Sequence, residues 1–162
     1  MTSAKYFALS ALALAALVAG SAPANGQTAV QTVKFEVRAI NLIAVSGAPT
    51  LTVQAVPGQT TSTTSNAATW SVTTNQTGAK VTAALAEPMP KGLTLALSLS
   101  APTGATSTGL QELGTSPVDL VTNVSRLSAA NLAMTYELAA TVDVGAHVSG
   151  TRAVTLTITG GV

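Results

Sequence analysis

The chain has 162 residues and a formal net charge of +1, and only 8% of its residues are charged, against about 25% in an average soluble domain. Seven dispersed Lys and Arg residues cannot form the basic surface that phosphate-driven nucleic-acid binding needs, and a 47% hydrophobic content with almost no net charge excludes charge-driven disorder. The lack of cysteine excludes disulfides, thiolate zinc sites, iron–sulfur clusters and a cysteine nucleophile.

The first 24 residues have the pattern of a secretory signal peptide. Lys5 gives a positive start, Phe7–Val18 is apolar, and Ala22-Pro23-Ala24 fits the small-x-small cleavage rule. Twelve apolar residues rise only about 18 Å in a helix, whereas the hydrocarbon core of a membrane is about 30 Å thick. We therefore predict a signal peptide at 1–24 and a secreted protein, extracellular or on the cell surface, that begins near Asn25 and does not span the membrane.

Apolar residues alternate with polar ones in most of 25–162, and Gly, Pro and Asn mark turns between these runs. The alternating apolar positions are Val33, Phe35, Val37; Leu51, Val53, Ala55; Ala68, Trp70, Val72; Val81, Ala83, Leu85; Leu93, Leu95, Leu97, Leu99; Leu132, Met134, Tyr136, Leu138; and Val154, Leu156, Ile158. A period of two indicates half-buried strands. We predict an all-β single domain, an antiparallel β-sandwich of immunoglobulin-like, Greek-key type with about eight to nine strands.

Some segments depart from this alternation. The apolar phase slips after Ala39, which predicts a bulge or a bend before a turn at 46–49. Gln59–Ser65 and Gly104–Gly109 are low in complexity, and we predict that both are exposed, mobile loops. The apolar positions of Val118–Ala133 fit either a strand with an irregular exit or a single helical turn, and we predict a strand followed by a loop.

The sequence contains no convincing catalytic or metal-binding motif. His147 is the single histidine and lies in a Gly-flanked stretch, which favours a surface turn over a catalytic base. One histidine and no cysteine cannot supply a zinc site unless three carboxylates complete it. The acids are isolated along the chain: Glu36, Glu87, Glu112, Asp119, Glu137 and Asp143. We predict no enzyme activity, no metal and no cofactor, and a carboxylate hydrolase would require two of these acids within about 5 to 10 Å in a cleft.

Aromatic residues bear on a possible glycan ligand. After residue 24 the chain offers only Phe35, Trp70 and Tyr136, and each lies on the apolar phase of its run. Trp70 is predicted to fill the core, with its N–H donated to a neighbouring carbonyl, rather than to stack on a sugar. The sequons at Asn75 and Asn123 arise readily by chance in a Thr-rich chain.

The composition favours a surface of hydroxyl groups. From residue 25 onward there are 25 Thr and 11 Ser but only 12 charged residues in 138 positions. Soluble sandwiches protect their edge strands with charges or Pro, and the last run, Arg152–Thr159, carries a single charge. Such a surface is typical of a subunit that is covered on several sides in a filament or a surface layer.

In its N-terminal extension 25–32, its alternating run through Phe35 and its C-terminal run Val154–Ile158, the chain resembles bacterial secreted β-sandwich fibre subunits of the pilin kind. The resemblance implies a structural, non-enzymatic fimbrium or pilus subunit on the cell surface, in which each copy donates an extended segment to its neighbour by β-strand addition. The segment 25–37 is then a candidate for strand exchange. The residues expected in donor or edge strands are Val33, Phe35, Val37, Val154, Leu156 and Ile158. The partners are expected to be identical subunits; the alternative is a monomeric cell-adhesion or glycan-binding module.

Overall fold

The computed structural model describes residues 26–54, 56, 59–141, 144 and 149–162, and the chain divides into two units, Met1–Glu36 and Val37–Val162. The described part contains no helix and nine strands: β1 (Asn41–Ser46), β2 (Thr61–Thr74), β3 (Ala79–Leu85), β4 (Leu93–Leu99), β5 (Thr106–Ser107), β6 (Gln111–Glu112), β7 (Val118–Val124), β8 (Leu127–Ala140) and β9 (Val154–Thr159). The predicted all-β class is confirmed. The expected signal peptide, 1–24, lies outside the described residues.

The first sheet has five antiparallel strands in the order β1-β2-β8-β4-β6. Its centre is the pair β2 and β8, each of 14 residues, with Trp70 opposite Leu132. The β2–β8 pairing is irregular between Ser65 and Ala68. Before this irregularity the odd-numbered residues of β2 are the less exposed ones, and after it the even-numbered residues are buried. β2 therefore has one extra residue at this point, which shifts the inward-facing positions from odd to even numbers. As a result, the apolar residues from Ala68 onward face the core.

The second sheet has four antiparallel strands in the order β5-β7-β3-β9. At its centre, Ala83 of β3 lies between Val118 of β7 and Leu156 of β9. β3 has five buried residues among its seven, because it is covered by a strand on each side and by the core on one face. The outer strand β9 is only half-buried on its inner face.

Side chains from both sheets form one hydrophobic core, an arrangement consistent with the expected β-sandwich. The largest fully buried residues are Trp70, Leu97, Leu99, Leu120, Met134, Val72, Val81, Val121 and Val124. Trp70 is 1% exposed, which confirms its predicted place in the core. The expected bond from its indole N–H to a carbonyl is not found, since Trp70 Nε1 has no hydrogen-bond partner. A buried, unsatisfied donor of this kind costs about 1 to 3 kcal/mol.

The predicted strand through Val33, Phe35 and Val37 is wrong for this fold. Residues 26–40 are exposed and belong to no strand, and the first strand begins after the phase slip, at Asn41. The run at Leu51 and Val53 is also not a strand, and Ala55 lies outside the described residues. Alternation makes a segment suitable for pairing, but it does not by itself decide that the segment pairs.

Two of the predicted loops contain strands. Residues 61–65 of the supposed mobile loop form the start of β2 and pair with residues 136–140 of β8. Their β-branched Thr side chains suit a strand although they give no hydrophobic alternation. Thr106–Ser107 forms β5 inside the second predicted loop. The strand expected at the start of 118–133 is confirmed as β7, but β8 already begins at Leu127, where a loop was expected.

β1 is held at both of its ends. Beyond its last residue, Gly47 has a φ of +91°, and a Cβ at this position would lie 2.2 Å from the carbonyl oxygen of Ala67. Only glycine permits this approach, which occurs beside the irregularity of β2. Before its first residue, the Asn75 amide donates from Nδ2 to Arg38 O at 2.7 Å and accepts from Ile40 N at Oδ1 at 2.8 Å. The position of β1 along β2 is therefore fixed.

Candidate assembly edges

The lateral strands of the two sheets are the candidate sites for strand addition. β5 and β6 have two residues each, whereas β1 and β9 have six. β1 and β9 contain neither a charged residue nor Pro, and the pairing of β9 with β3 is regular along its whole length. Very short strands, charges, Pro and bulges are the features that protect sheet edges. The edges of β1 and β9 lack these protections, and the two strands contact each other at the same side of the fold.

The edge of β9 presents two different faces. Val154, Leu156 and Ile158 are partly buried and pack against the core, while the residues between them, such as Thr155 and Thr157, are exposed. The structure thus places the three predicted C-terminal assembly residues on one face of one edge strand. Since no described strand lies beyond β9, part of each of these apolar side chains remains open to solvent.

The edge of β1 is less uniform. Ile43 is partly buried against the core, but Val45 is 57% exposed. Asn41, on the same face, accepts a hydrogen bond at Oδ1 from the buried Thr74 hydroxyl at 2.6 Å. The opposite face exposes 62% of Leu42. The sequence pointed to this strand only through the slip of the apolar phase after Ala39, and it gave no sign that β1 would be an edge.

The predicted N-terminal assembly residues lie outside both sheets. Val33, Phe35 and Val37 are 72%, 90% and 81% exposed. Of the ten large hydrophobic residues that are exposed in the described part of the chain, seven lie between residues 30 and 45. A short extended segment that exposes alternate apolar side chains has the chemistry of a strand without a partner. The structure therefore separates the six predicted residues into an exposed segment outside the strands and an edge strand.

Two carboxylates share the outer face of the first sheet. Glu112 of β6 and Glu137 of β8 are both cross-strand partners of Ala96 on β4. Two strand spacings place their backbones about 10 Å apart. Glu112 is exposed and Glu137 is partly exposed, and no group of three or more His, Asp or Glu residues that could hold a metal occurs in the described ranges. His147 and Asp143 lie outside these ranges.

The described aromatic side chains form no platform for a sugar. Trp70 and Tyr136 are buried, and Phe35 is exposed in the segment 26–40, which belongs to no strand. Asn75 of the first sequon uses both ends of its amide in hydrogen bonds to Arg38 and Ile40. A glycan attached to its Nδ2 would compete with the bond to Arg38.

Charge contributes little at these edges. Lys80 Nζ of β3 forms an ion pair with Asp119 Oδ1 of β7 at 2.9 Å, and both side chains are more than 40% exposed. A pair so exposed contributes about 0 to 1 kcal/mol. The region within reach of a strand added to β9 is therefore governed by main-chain hydrogen bonding and apolar contact.

No helix in the described residues is long and apolar enough to cross a membrane. Comparisons with protein-family models, with curated proteins and with solved structures give no match to this chain.

Proposed function

We propose that the protein is a secreted structural subunit that self-assembles at the cell surface or outside the cell by β-strand addition. The observation that carries the proposal is the exposed alternation of Val33, Phe35 and Val37 in a chain whose β9 edge is unprotected. One copy has an extended segment with exposed alternate apolar side chains, and it also has an edge strand, β9, beyond which no described strand lies. Pairing between two copies would cover both.

The energetics favour repeated rather than single contacts. Complete burial of Val33, Phe35 and Val37 stabilises by about 1.5 to 3 kcal/mol for each side chain, or about 5 to 9 kcal/mol together. Association costs about 4 to 15 kcal/mol in lost freedom of motion. Main-chain hydrogen bonds add about 0.5 to 1.5 kcal/mol each. These terms support an assembly in which every subunit both donates and accepts a segment, so that each subunit gains two interfaces.

The scarcity of charge supports the same proposal. A sequence with 8% charged residues lacks the charge repulsion that keeps isolated domains apart. The signal-peptide pattern at 1–24 supports secretion, and the Thr-rich composition supports an extracellular surface layer or filament. Within this proposal the domain is an immunoglobulin-like sandwich and the chain has no enzymatic role. The adhesin alternative required exposed aromatic residues in a groove, and nothing in the described structure favours it.

The proposal is tested on the secreted protein by static light scattering and electron microscopy over a range of concentrations. The wild type is expected to form polymers. Val33→Asp and Phe35→Asp are expected to abolish them while the far-ultraviolet β-sheet signal is retained, because both residues are exposed and lie outside the strands. The matched control is Thr32→Asp, which introduces the same charge on the opposite phase of the same exposed segment and is expected to polymerise.

A wild-type protein that stays monomeric at high concentration would contradict the proposal. Equal loss of polymers in Thr32→Asp and Val33→Asp would also contradict it, since added charge alone would then explain the effect. Loss of the β-sheet signal in Phe35→Asp would show instead that the segment is part of the folded domain.

A further inference from the structure

We propose that the outer edge of β9 pairs with the β9 edge of a second copy, antiparallel and about a two-fold axis at Leu156. The two four-stranded sheets then form one sheet of eight strands. The inference does not require the proposed function, because two edges that pair about a two-fold axis close on each other and do not grow further. If the proposed function also holds, the dimer competes with assembly for the same edge.

The main chain of β9 presents hydrogen-bonding groups to a neighbour at every second residue. Ala86 N donates to Ala153 O at 3.0 Å, one step beyond the paired residues Leu85 and Val154. Since hydrogen-bonded and non-hydrogen-bonded positions alternate in an antiparallel pair, the main-chain groups of the odd-numbered residues of β9 point toward β3. Those of the even-numbered residues point away from β3, and no described strand lies beyond them. These even-numbered residues are Val154, Leu156 and Ile158.

The side chains of β9 are arranged symmetrically about Leu156. The residues at positions 154 to 158 are Val, Thr, Leu, Thr and Ile, so apolar and hydroxyl side chains follow in the same order from either end. A two-fold axis at Leu156 sets Leu156 opposite Leu156, Val154 opposite Ile158 and Thr155 opposite Thr157. Residues opposite each other in an antiparallel pair have side chains on the same face of the sheet. Apolar side chains therefore meet on the core face, and threonines meet on the outer face.

The two neighbouring registers of the same pair are less favourable. A slip that sets Val154 opposite Leu156 also sets Ile158 opposite Arg152, whose Nε donates to Pro88 O at 3.0 Å. An apolar side chain would then lie against a charged group. The opposite slip sets Leu156 opposite Ile158 and leaves Val154 opposite Gly160, which has no side chain. Only the register with Leu156 on the axis pairs every apolar residue of the strand with another.

The side of the fold that meets the second copy is free of charge. A two-fold axis sets residues of β9 opposite residues of the same strand, so charges of one sign in this strand would repel each other. β9 carries no charged residue, and neither does β1, which contacts β9 at the same side of the fold. Edge lysines and other charges are the usual means by which soluble sandwiches prevent such pairing. The uncharged edge therefore favours a second copy of this chain over a charged partner.

Thr155 and Thr157 allow a direct test of the axis. In this pair Thr155 lies opposite Thr157 of the second copy at a non-hydrogen-bonded position, where Cα atoms are about 4.5 Å apart. Disulfides form at Cα separations of about 4.4 to 6.8 Å. The chain has no cysteine of its own, and both threonines are exposed. Thr155→Cys and Thr157→Cys should therefore leave the fold intact, which circular dichroism checks.

Chains with Thr155→Cys and chains with Thr157→Cys carry different size tags, are mixed, and are oxidised mildly below the concentration at which light scattering detects polymers. We expect a mixed disulfide dimer on a non-reducing gel, at least tenfold more abundant than the dimer that either chain forms alone. Thr155→Cys alone reports the slip toward Arg152, and Thr157→Cys alone reports the slip toward Gly160. A dominant dimer in either single-chain reaction overturns the axis at Leu156.

A second set of variants tests whether the main chains pair. Leu156→Pro, introduced into both cysteine chains, removes an N–H that points away from β3, so both hydrogen bonds at the axis are lost while the pairing with β3 is kept. Leu156→Ala shortens the side chain and keeps the N–H. We expect Leu156→Pro to lower the yield of mixed dimer at least tenfold and Leu156→Ala to lower it less. Equal losses would overturn the proposal. If Leu156→Pro loses the β-sheet signal, Ile158→Pro removes an equivalent N–H nearer the end of the strand.

The outcomes separate this inference from the proposed function. Polymers without any mixed dimer overturn the β9 dimer and leave the proposed function standing. A mixed dimer in a protein that forms no larger species at any concentration supports the dimer and overturns the proposed function. If Val33→Asp in both chains also removes the mixed dimer, the segment 33–37 and not β9 joins the copies, and the inference is wrong.

Discussion

The segments Val33–Val37 and Val154–Ile158 have the same pattern, three apolar residues that alternate with polar ones. The second is the greater part of strand β9, paired with β3 along its length and half-buried against the core. The first belongs to no strand, and its apolar side chains are exposed. An alternating pattern therefore specifies the ability to pair, but it does not decide whether the segment pairs within its own chain.

The largest expected effect comes from removing a side chain that is buried in the single domain. Leu97→Ala is expected to lower the free energy of unfolding by about 2 to 5 kcal/mol, because Leu97 is 0% exposed in the core. Leu156→Ala should cost about half as much, since its side chain is only partly buried. Denaturant unfolding of dilute protein measures both. Equal losses would mean that β9 is already covered in the isolated chain.

A smaller effect on the free energy of unfolding is expected at alkaline pH, and it comes from a buried titratable group. Burial raises the pKa of the Tyr136 hydroxyl on β8, so the folded state keeps this proton at pH values where the unfolded chain loses it. The stabilisation that this provides is present below about pH 10 and falls as the pH rises further, by at most about 1.4 kcal/mol per pH unit. Tyr136→Phe should reduce the decline in alkaline unfolding curves. If the variant loses stability at alkaline pH as steeply as the wild type, the loss is due to titrating groups other than Tyr136.

The smallest expected effect on stability is at the exposed segment itself. Phe35→Ala and Lys34→Ala should each change the free energy of unfolding of dilute protein by less than about 0.5 kcal/mol, because neither residue belongs to a strand and Phe35 is 90% exposed. In concentrated protein only Phe35→Ala should raise the concentration at which light scattering detects assembly. A loss of about 3 to 5 kcal/mol in dilute Phe35→Ala would show that Phe35 is packed in the single domain.

The sequence predicted the strands whose apolar residues repeat at every second position. Val81 to Leu85, Leu93 to Leu99 and Val154 to Ile158 lie in β3, β4 and β9 as expected. Residues 61–65 have no apolar alternation, and their strand conformation follows from the pairing with β8, a tertiary effect that local pattern does not contain. Asn131 has a φ of +56° and interrupts the alternation in β8. The sequence pattern therefore did not predict that the strand begins before Asn131.

The candidate site was predictable only in part, and for a related reason. Alternation identified Leu156 and Phe35 as residues suited to strand pairing. It could not show that the strand containing Leu156 would lie at the side of a sheet, because strand order depends on which distant segments pair. The edge at β1 was missed because Ile43 follows a change of phase and because Gly47, which fixes the end of this strand, acts through contact with the distant residue Ala67.

The amide of Asn75 has a mechanical consequence if subunits are joined through their N-terminal segments. A pulling force applied to Val37 would enter the domain through Arg38 and Ile40, both of which are hydrogen-bonded to the Asn75 side chain. These bonds would be loaded before the ladder between β1 and β2. The Asn75 side chain would then help the junction between subunits to resist the pulling force. Replacement of Asn75 would lower the force at which a filament breaks, while filaments would still form in the absence of tension.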